Sequence, residues 1–408
     1  MKCGLLGGKL GHSYSLLIHK SLGSYSYELF EKTPEELEDF LRNGDFHGLN
    51  VTIPYKKAVI PYCAELSPRA RELGAVNTII RRKDGSLMGH NTDYFGFARM
   101  LHTSGLSVDG KKALVLGSGG ASNTAVAVLT AQGAEVIVIS RNGDNNYENL
   151  HLHADASLIV NATPVGMYPN VDASPVDLAA FPALEGVLDL IYNPARTQLL
   201  LAAEERGIVA CNGLEMLVAQ AKESAEWFIG EAISDDVIPS ITQRLKNQME
   251  NIVLIGMPGC GKTTVGKLLT DKTGKTFVDA DAYLVEKAGR SIPEIFAADG
   301  EAVFRTLETE VLAELGKQSG LIIATGGGCV TQEQNYAKLH QNGTCFWLQR
   351  EIAQLPTDGR PLSQTTDLTK MYANRKPLYQ RFADHILDNN GDPEAAAAAI
   401  VKILEGNV

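Results

Sequence analysis

Two apolar runs in this chain each stop at a glycine-rich loop that opens a helical pattern. Nothing else in the sequence constrains the fold as strongly. The run 252–255 leads into Gly256-Met-Pro-Gly259-Cys260-Gly261-Lys262-Thr263, with a helical pattern over 264–269 behind it. The run 113–116 leads into Gly117-Ser-Gly119-Gly120-Ala121-Ser, followed by a helical pattern over 123–131. Strand, glycine loop and helix in that order make a phosphate-binding turn at the carboxyl edge of a parallel sheet. Two such turns so far apart imply two nucleotide sites on separate sheets. Further strand-like runs at 136–139, 158–160, 187–190 and 321–324 alternate with helical patterns, so the expected fold class is α/β throughout.

The chain has 408 residues, enough for two or three domains at ~150 residues each. Its 44% hydrophobic and 21% charged residues describe an ordinary globular protein. The net charge of −11 speaks against a nucleic-acid or membrane-surface partner. An anionic substrate must then be held by local basic residues. The six cysteines form no C-x-x-C pair, so neither a zinc site nor a disulfide framework is indicated. Residues 1–10 lack a signal-peptide core, and no apolar run approaches the ~20 residues of a membrane span. The expected compartment is the cytoplasm. A helical pattern over 235–248 is followed at once by a strand, which puts a domain boundary near 247–251.

The second glycine loop is a full Walker A pattern. Lys262 is placed to reach the β- and γ-phosphates of a nucleotide and Thr263 to ligate Mg²⁺. Next comes Phe277-Val-Asp279-Ala-Asp281. On a strand, carboxylates at i and i+2 share a face: one can serve the metal and the other an acceptor hydroxyl, although a solvated strand end is the plain alternative. Gly300-Glu-Ala-Val-Phe-Arg305-Thr-Leu-Glu308 offers an arginine suited to a carboxylate. Gly326-Gly327-Gly328 closes another strand, where glycines permit close approach of a ligand to backbone. Together these residues resemble shikimate kinase over nearly all of 250–408. The resemblance implies Asp281 on the acceptor hydroxyl, Asp279 near Mg²⁺, and Arg305, Gly327 and Gly328 on the substrate. From Arg375-Lys-Pro-Leu-Tyr379 it implies Arg375 on the substrate carboxylate, and from Gly359-Arg360-Pro361-Leu362 it implies that Arg360 neutralises the transferring phosphate. ATP would lie on Gly256, Gly259, Cys260, Gly261, Thr263 and Thr264.

The first half carries Ser13-Tyr-Ser15, Asn50-Val-Thr52-Ile-Pro-Tyr-Lys56, Gly74-Ala-Val-Asn77 and Asn91-Thr-Asp93. Jointly these supply hydroxyls and amides suited to a polyhydroxylated acid. Lys56 and Asp93 form a plausible proton-transfer pair. The strand 136–139 ends at Ser140-Arg141, and a cation there suits the 2′-phosphate of NADP rather than the free ribose of NAD. With Asn161-Ala-Thr-Pro-Val-Gly-Met167, Asp189-Leu-Ile-Tyr192-Asn-Pro and Gly213-Leu-Glu-Met-Leu-Val-Ala-Gln220, these residues resemble shikimate dehydrogenase over about 1–247. The resemblance implies Lys56 and Asp93 as the catalytic pair and Ser13, Ser15, Thr52, Asn77, Tyr192 and Gln220 around the substrate. It implies NADP(H) on Gly117, Gly119, Gly120, Ala121 and Arg141, with Gly213 near the nicotinamide.

The expected organisation is therefore a substrate domain over 1–92 with return helices at about 214–247, a Rossmann-like NADP domain over 93–213, and a P-loop kinase domain with a parallel sheet over 250–408. Two departures from the family pattern stand out. Leu16 occupies a position where a proline is usual, and only about one helix's worth of chain separates Arg141 from Asn161. The expected function is reduction of 3-dehydroshikimate with NADPH and then phosphorylation of shikimate with ATP and Mg²⁺. The alternatives are an active kinase fused to a weak or inactive dehydrogenase-like scaffold, and a kinase for another hydroxy acid such as gluconate. Both expected substrates are small molecules, and oligomeric state is not legible.

Overall fold

A computed structural model describes residues 1–11, 13–355 and 368–406. Two units divide the chain: Met1–Tyr192 with Thr197–Gln243, and Asn193–Arg196 with Arg244–Val408. The division falls a few residues before the expected 247–251.

The first unit contains two sheets. One is a six-stranded mixed sheet in the order Ser26–Glu31, Lys2–Gly7, Gly48–Val51, Thr78–Arg81, Leu87–His90, Glu65–Leu66. Lys2–Gly7 is parallel to both its neighbours, while Thr78–Arg81 is antiparallel to both of its own. Its core gathers Leu6, Leu49, Val51 and Ile79. The other sheet has five parallel strands, ordered Val209–Asn212, Gly186–Asp189, Leu158–Asn161, Lys112–Leu116, Glu135–Ile139. The strand order reverses at Lys112–Leu116, and the first glycine loop leaves from its carboxyl end. That is where a doubly wound sheet binds a ligand.

The shortened stretch after Arg141 has a visible consequence. Among the described residues no strand pairs with the outer side of Glu135–Ile139, so this strand is an edge. The chain turns back through an asparagine-rich loop. Ser140 N donates to Asn145 O (3.1 Å), Asn149 Nδ2 to Asp144 O (2.8 Å), and Asn146 N to Asn149 Oδ1 (2.8 Å). Asparagine side chains thus satisfy backbone groups within the loop itself.

The second unit has one parallel sheet ordered Thr276–Asp279, Leu321–Ala324, Asn251–Ile255, Gly343–Gln349, His385–Asp388. Asn251–Ile255 is central and buried along its whole length. Helix Lys262–Thr273 follows the second glycine loop. One expectation is corrected here. The strand ends at Asp279, so Asp279 and Asp281 do not share a strand face. Asp279 instead caps helix Ala280–Ala288, accepting from Asp281 N and Ala282 N, and Asp281 lies in the first helical turn. A short strand running straight into an N-cap aspartate explains the change. No described helix is long and apolar enough to cross a membrane.

A pH prediction arises from the first unit. His19 is buried, stacks on Tyr27 at 4.0 Å and bonds Tyr25 Oη at 2.7 Å. Burial pushes its imidazole down to about 3. The unfolded chain therefore takes up a proton near pH 6.5 that the folded unit refuses. The stability this neutral ring supports is complete above pH 6.5 and is lost as pH falls towards 3, at up to ~1.4 kcal/mol per pH unit. The chain has two tryptophans, Trp227 in the first unit and Trp347 in the second. In a Trp347→Phe chain, urea titrations followed by Trp227 emission at pH 7 and pH 5 should show the loss, and His19→Gln should flatten it. An equal pH slope in the two chains would reject this assignment.

Candidate functional site

Each unit holds one polar cavity built from residues singled out in the sequence. In the first unit a cavity of about 440 Å³ is lined by Ser13, Ser15, Thr52, Lys56, Asn77, Asp93, Ala121, Tyr192, Gly213 and Gln220. Lys56 Nζ donates to Asp93 Oδ2 at 2.7 Å. Asn77 Nδ2 donates to Asp93 Oδ1 at 3.0 Å and to Gln220 Oε1 at 3.4 Å. Asp93 opens helix Asp93–Thr103, where the helix dipole favours a negative charge. The carboxylate is thus held by one cation, one amide and one helix terminus, and it fixes the ammonium at the cavity wall.

The other dehydrogenase-half residues divide by place. Gly117 has φ 110°, a backbone conformation reserved for glycine, and a Cβ there would meet Ala162 O at 3.1 Å. At Gly119 and Gly120 a Cβ would meet nothing within 4 Å. Open space therefore lies over the start of helix Gly120–Ala131, which suits a pyrophosphate. Arg141 is exposed just beyond the edge strand. These glycines and Arg141 are not part of the 440 Å³ cavity wall. Asn161 and Asp189 prove to be internal ties: Asn161 Nδ2 donates to Asp189 Oδ1 (3.0 Å) and Thr197 Oγ1 to Asp189 Oδ2 (2.7 Å). Burial pushes the Asp189 carboxyl up to about 6. Lys9 also lines the cavity, and sequence reasoning missed it because a lone lysine in a turn carries no pattern.

In the second unit a cavity of about 770 Å³ runs from the P-loop to the glycine triplet. Gly259, Gly261, Lys262, Thr263, Thr264, Asp279, Asp281, Arg305, Gly327, Gly328 and Arg375 line it. Gly256 and Cys260 belong to the loop but not to the cavity wall. The Cys260 side chain is buried, and its carbonyl accepts from Asn389 Nδ2 at 2.6 Å. Lys262 Nζ rests on Gly256 O (2.9 Å) and Met257 O (3.1 Å). Thr263 Oγ1 donates to Asp279 Oδ2 at 3.0 Å, so a hydroxyl and a carboxylate stand together where a divalent cation would sit. Burial raises the Asp281 carboxyl above its ordinary range, and the neighbouring Asp279 adds to the rise. Arg360 lies outside the described residues.

The glycine triplet lines the cavity and also makes room for the protein's own side chains. A Cβ on Gly328 would lie 2.4 Å from both Nη1 and Nη2 of Arg305; one on Gly326 would lie 2.5 Å from Glu308 Oε1; one on Gly327 would lie 2.6 Å from Pro258 Cδ. The protein's own side chains fill the space that the missing Cβ atoms leave. Arg305 Nη1 donates to Glu308 Oε2 at 2.7 Å, both residues being buried. Arg375 Nη1 and Tyr379 Oη donate to Gly327 O at 3.2 and 2.5 Å. Helix Ile292–Gly316, which carries Arg305, is broken at Gly300 with φ 82°. Glu308 and Arg350 also line the cavity. Glu308 was visible in the sequence without a role, and Arg350 was missed altogether.

Comparison with known proteins follows this division. The family model for the shikimate dehydrogenase substrate binding domain matches residues 5–79, and that for shikimate kinase matches 258–405. A shikimate dehydrogenase (NADP(+)) from Oleidesulfovibrio alaskensis is 42% identical over 245 residues, covering 54% of this chain and 86% of that one. The solved shikimate 5-dehydrogenase of Thermus thermophilus, in complex with NADP(H) and shikimate, has a TM-score of 0.55 at 32% identity, covering 60% of this chain and 99% of its own. A chorismate mutase/shikimate 5-dehydrogenase fusion protein from Clostridium acetobutylicum reaches 0.57 at 38% identity, covering 60% and 97%.

Proposed function

This chain belongs to the shikimate dehydrogenase family in its first unit and carries a shikimate kinase domain in its second, and we propose that it catalyses two consecutive reactions of aromatic biosynthesis. The first is NADPH-dependent reduction of 3-dehydroshikimate to shikimate. The second is ATP-dependent phosphorylation of shikimate to shikimate 3-phosphate. The observation that carries this reading is the pairing, on one chain, of the Lys56–Asp93 contact with a complete P-loop site. A scaffold would need no lysine held by a carboxylate at the wall of its cavity, so the contact favours a working dehydrogenase.

The open space over Gly119 and Gly120 and the cation at Arg141 fit NADP(H), which supplies the hydride when bound. In our reading Lys56 donates a proton to the substrate oxygen that becomes the new hydroxyl. Asp93 keeps the ammonium aimed, and Asn77 and Gln220 fix the neighbouring hydroxyls. In the kinase site the loop, Lys262, Thr263 and Asp279 fit a nucleotide with Mg²⁺, which together supply the phosphoryl group and neutralise its charge. Asp281 orients the acceptor hydroxyl and takes its proton, for which a raised pKa is suited. Arg305 and Arg375 hold the acceptor carboxylate. Small-molecule substrates accord with the acidic balance of the chain. Free cysteines accord with a cytoplasmic location.

The test is a pair of half-reactions on the intact chain. Oxidation of NADPH should require 3-dehydroshikimate and outpace oxidation of NADH. ADP release should require shikimate, with gluconate inert. Phosphorylation of gluconate but not shikimate would overturn the kinase assignment.

A further prediction follows from the glycine triplet. Gly328→Ala places a methyl group against the Arg305 guanidinium, which hydrogen bonds to Glu308 and Glu301 hold in place. Arg305 must move or strain by ~1–3 kcal/mol. KM for shikimate should rise by roughly tenfold or more while KM for ATP stays put, as initial-rate kinetics would show. A selective rise in the ATP KM would contradict this placement.

A further inference from the structure

Arg350 follows directly on the strand Gly343–Gln349 and lines the same cavity as Gly259, Lys262 and Thr263. That strand pairs with Asn251–Ile255, the strand feeding the P-loop, with Ile255 opposite Trp347. The two elements touch closely: a Cβ on Gly256 would lie 2.7 Å from Leu348 O. The Arg350 Nε is buried and, among the described residues, has no hydrogen-bond partner. Leaving a buried donor of a charged group unpaired is unfavourable. A ligand that completes it removes that cost.

The sheet order separates the site into two sides. Asp279, Asp281 and the triplet Gly326–Gly328 follow strands on one side of Asn251–Ile255, and Arg350 follows the strand on the other. Asp281 and the glycine triplet, assigned to the acceptor, therefore follow strands across the P-loop strand from Arg350, although Arg375 follows the same strand as Arg350. The residues that share the cavity wall with Arg350 include Gly259, Lys262 and Thr263 of the P-loop, which points to the nucleotide as its ligand. Phosphate is the matching chemistry, because a guanidinium offers a planar fork of donors to an anionic oxygen pair. We propose that Arg350 is a further phosphate-binding residue of the kinase site, a cation fixed at the carboxyl end of an inner strand that engages the terminal phosphates of the nucleotide alongside Lys262. This rests on the kinase reading above.

The experiment compares Arg350→Ala and Arg350→Gln with the unaltered chain, using ATP as substrate and inorganic tripolyphosphate as a competitive inhibitor. Both variants should raise the KM for ATP and the inhibition constant of tripolyphosphate by roughly tenfold or more, the effect of one charge-assisted contact. KM for shikimate should stay within about twofold. If the alanine variant fails to fold, as judged by Trp347 emission, the near-isosteric glutamine variant carries the test. An unchanged KM for ATP overturns the proposal. So does a raised KM for ATP with tripolyphosphate inhibition unchanged, since that places Arg350 on the base instead. No shikimate turnover by the unaltered chain removes the kinase reading and this inference with it, whereas turnover with insensitive variants removes this inference alone.

Discussion

Replacing Lys262 by alanine should lower shikimate phosphorylation by roughly 10²–10³-fold or more, the size of effect seen when a transition-state charge contact is lost from a site that excludes water. The ammonium is buried, and its partners are the loop carbonyls of Gly256 and Met257. It is thus held in the concavity where the phosphates would lie. Dehydrogenase turnover on the same chain should stay within about twofold, because the substitution lies in the other unit and outside that cavity's lining. The accompanying pH profile is diagnostic. Burial and Asp279 raise the Asp281 pKa, and the proton-accepting form is the ionised one. Kinase kcat/KM should therefore fall on acidification at a higher pH than an ordinary carboxylate would give. A limb at the usual carboxylate position would remove Asp281 from the role of base.

Lys56→Ala should lower 3-dehydroshikimate reduction by roughly 10²–10⁴-fold, the range for loss of a positioned general acid. Kinase turnover should be untouched. The side chain meets Asp93 at 2.7 Å at the wall of the first cavity, and Asn77 holds the other carboxylate oxygen at 3.0 Å. Removing the ammonium leaves Asp93 its amide partner and its helix terminus, so the unit should keep its fold. Substrate affinity should change far less than turnover, since Ser13, Ser15 and Gln220 remain. A loss confined to KM would recast Lys56 as a binding residue. Retained turnover would make the shortened unit's chemistry independent of this pair.

Much of the architecture was legible because parallel strands buried on both faces read as short apolar runs. The runs 113–116, 136–139, 158–160, 252–255 and 321–324 all lie within observed strands, and 187–190 is displaced by one residue from Gly186–Asp189. The six-stranded mixed sheet was harder to read. Ser26–Glu31 has no fully buried position and Glu65–Leu66 is two residues long, so neither carries an apolar run. The residue sets of both cavities were visible as motifs, whereas their physical arrangement was not. The i and i+2 rule failed at Asp279 and Asp281 because the strand gives way to a helix between them. The glycine triplet was legible as a close approach, but only the three-dimensional contacts identify Arg305, Glu308 and Pro258 as what approaches. Arg350 depends on the neighbour of its strand, which is a fact of topology.

The central claim is that one chain makes shikimate and then phosphorylates it. The most direct measurement supplies 3-dehydroshikimate, NADPH, ATP and Mg²⁺ to the intact chain, with no shikimate added, and follows NADPH oxidation and ADP release together. The account predicts that ADP release follows NADPH oxidation after a lag, approaches one ADP per NADPH, and disappears when NADPH is omitted. No NADPH oxidation, in a chain that still phosphorylates added shikimate, would contradict it.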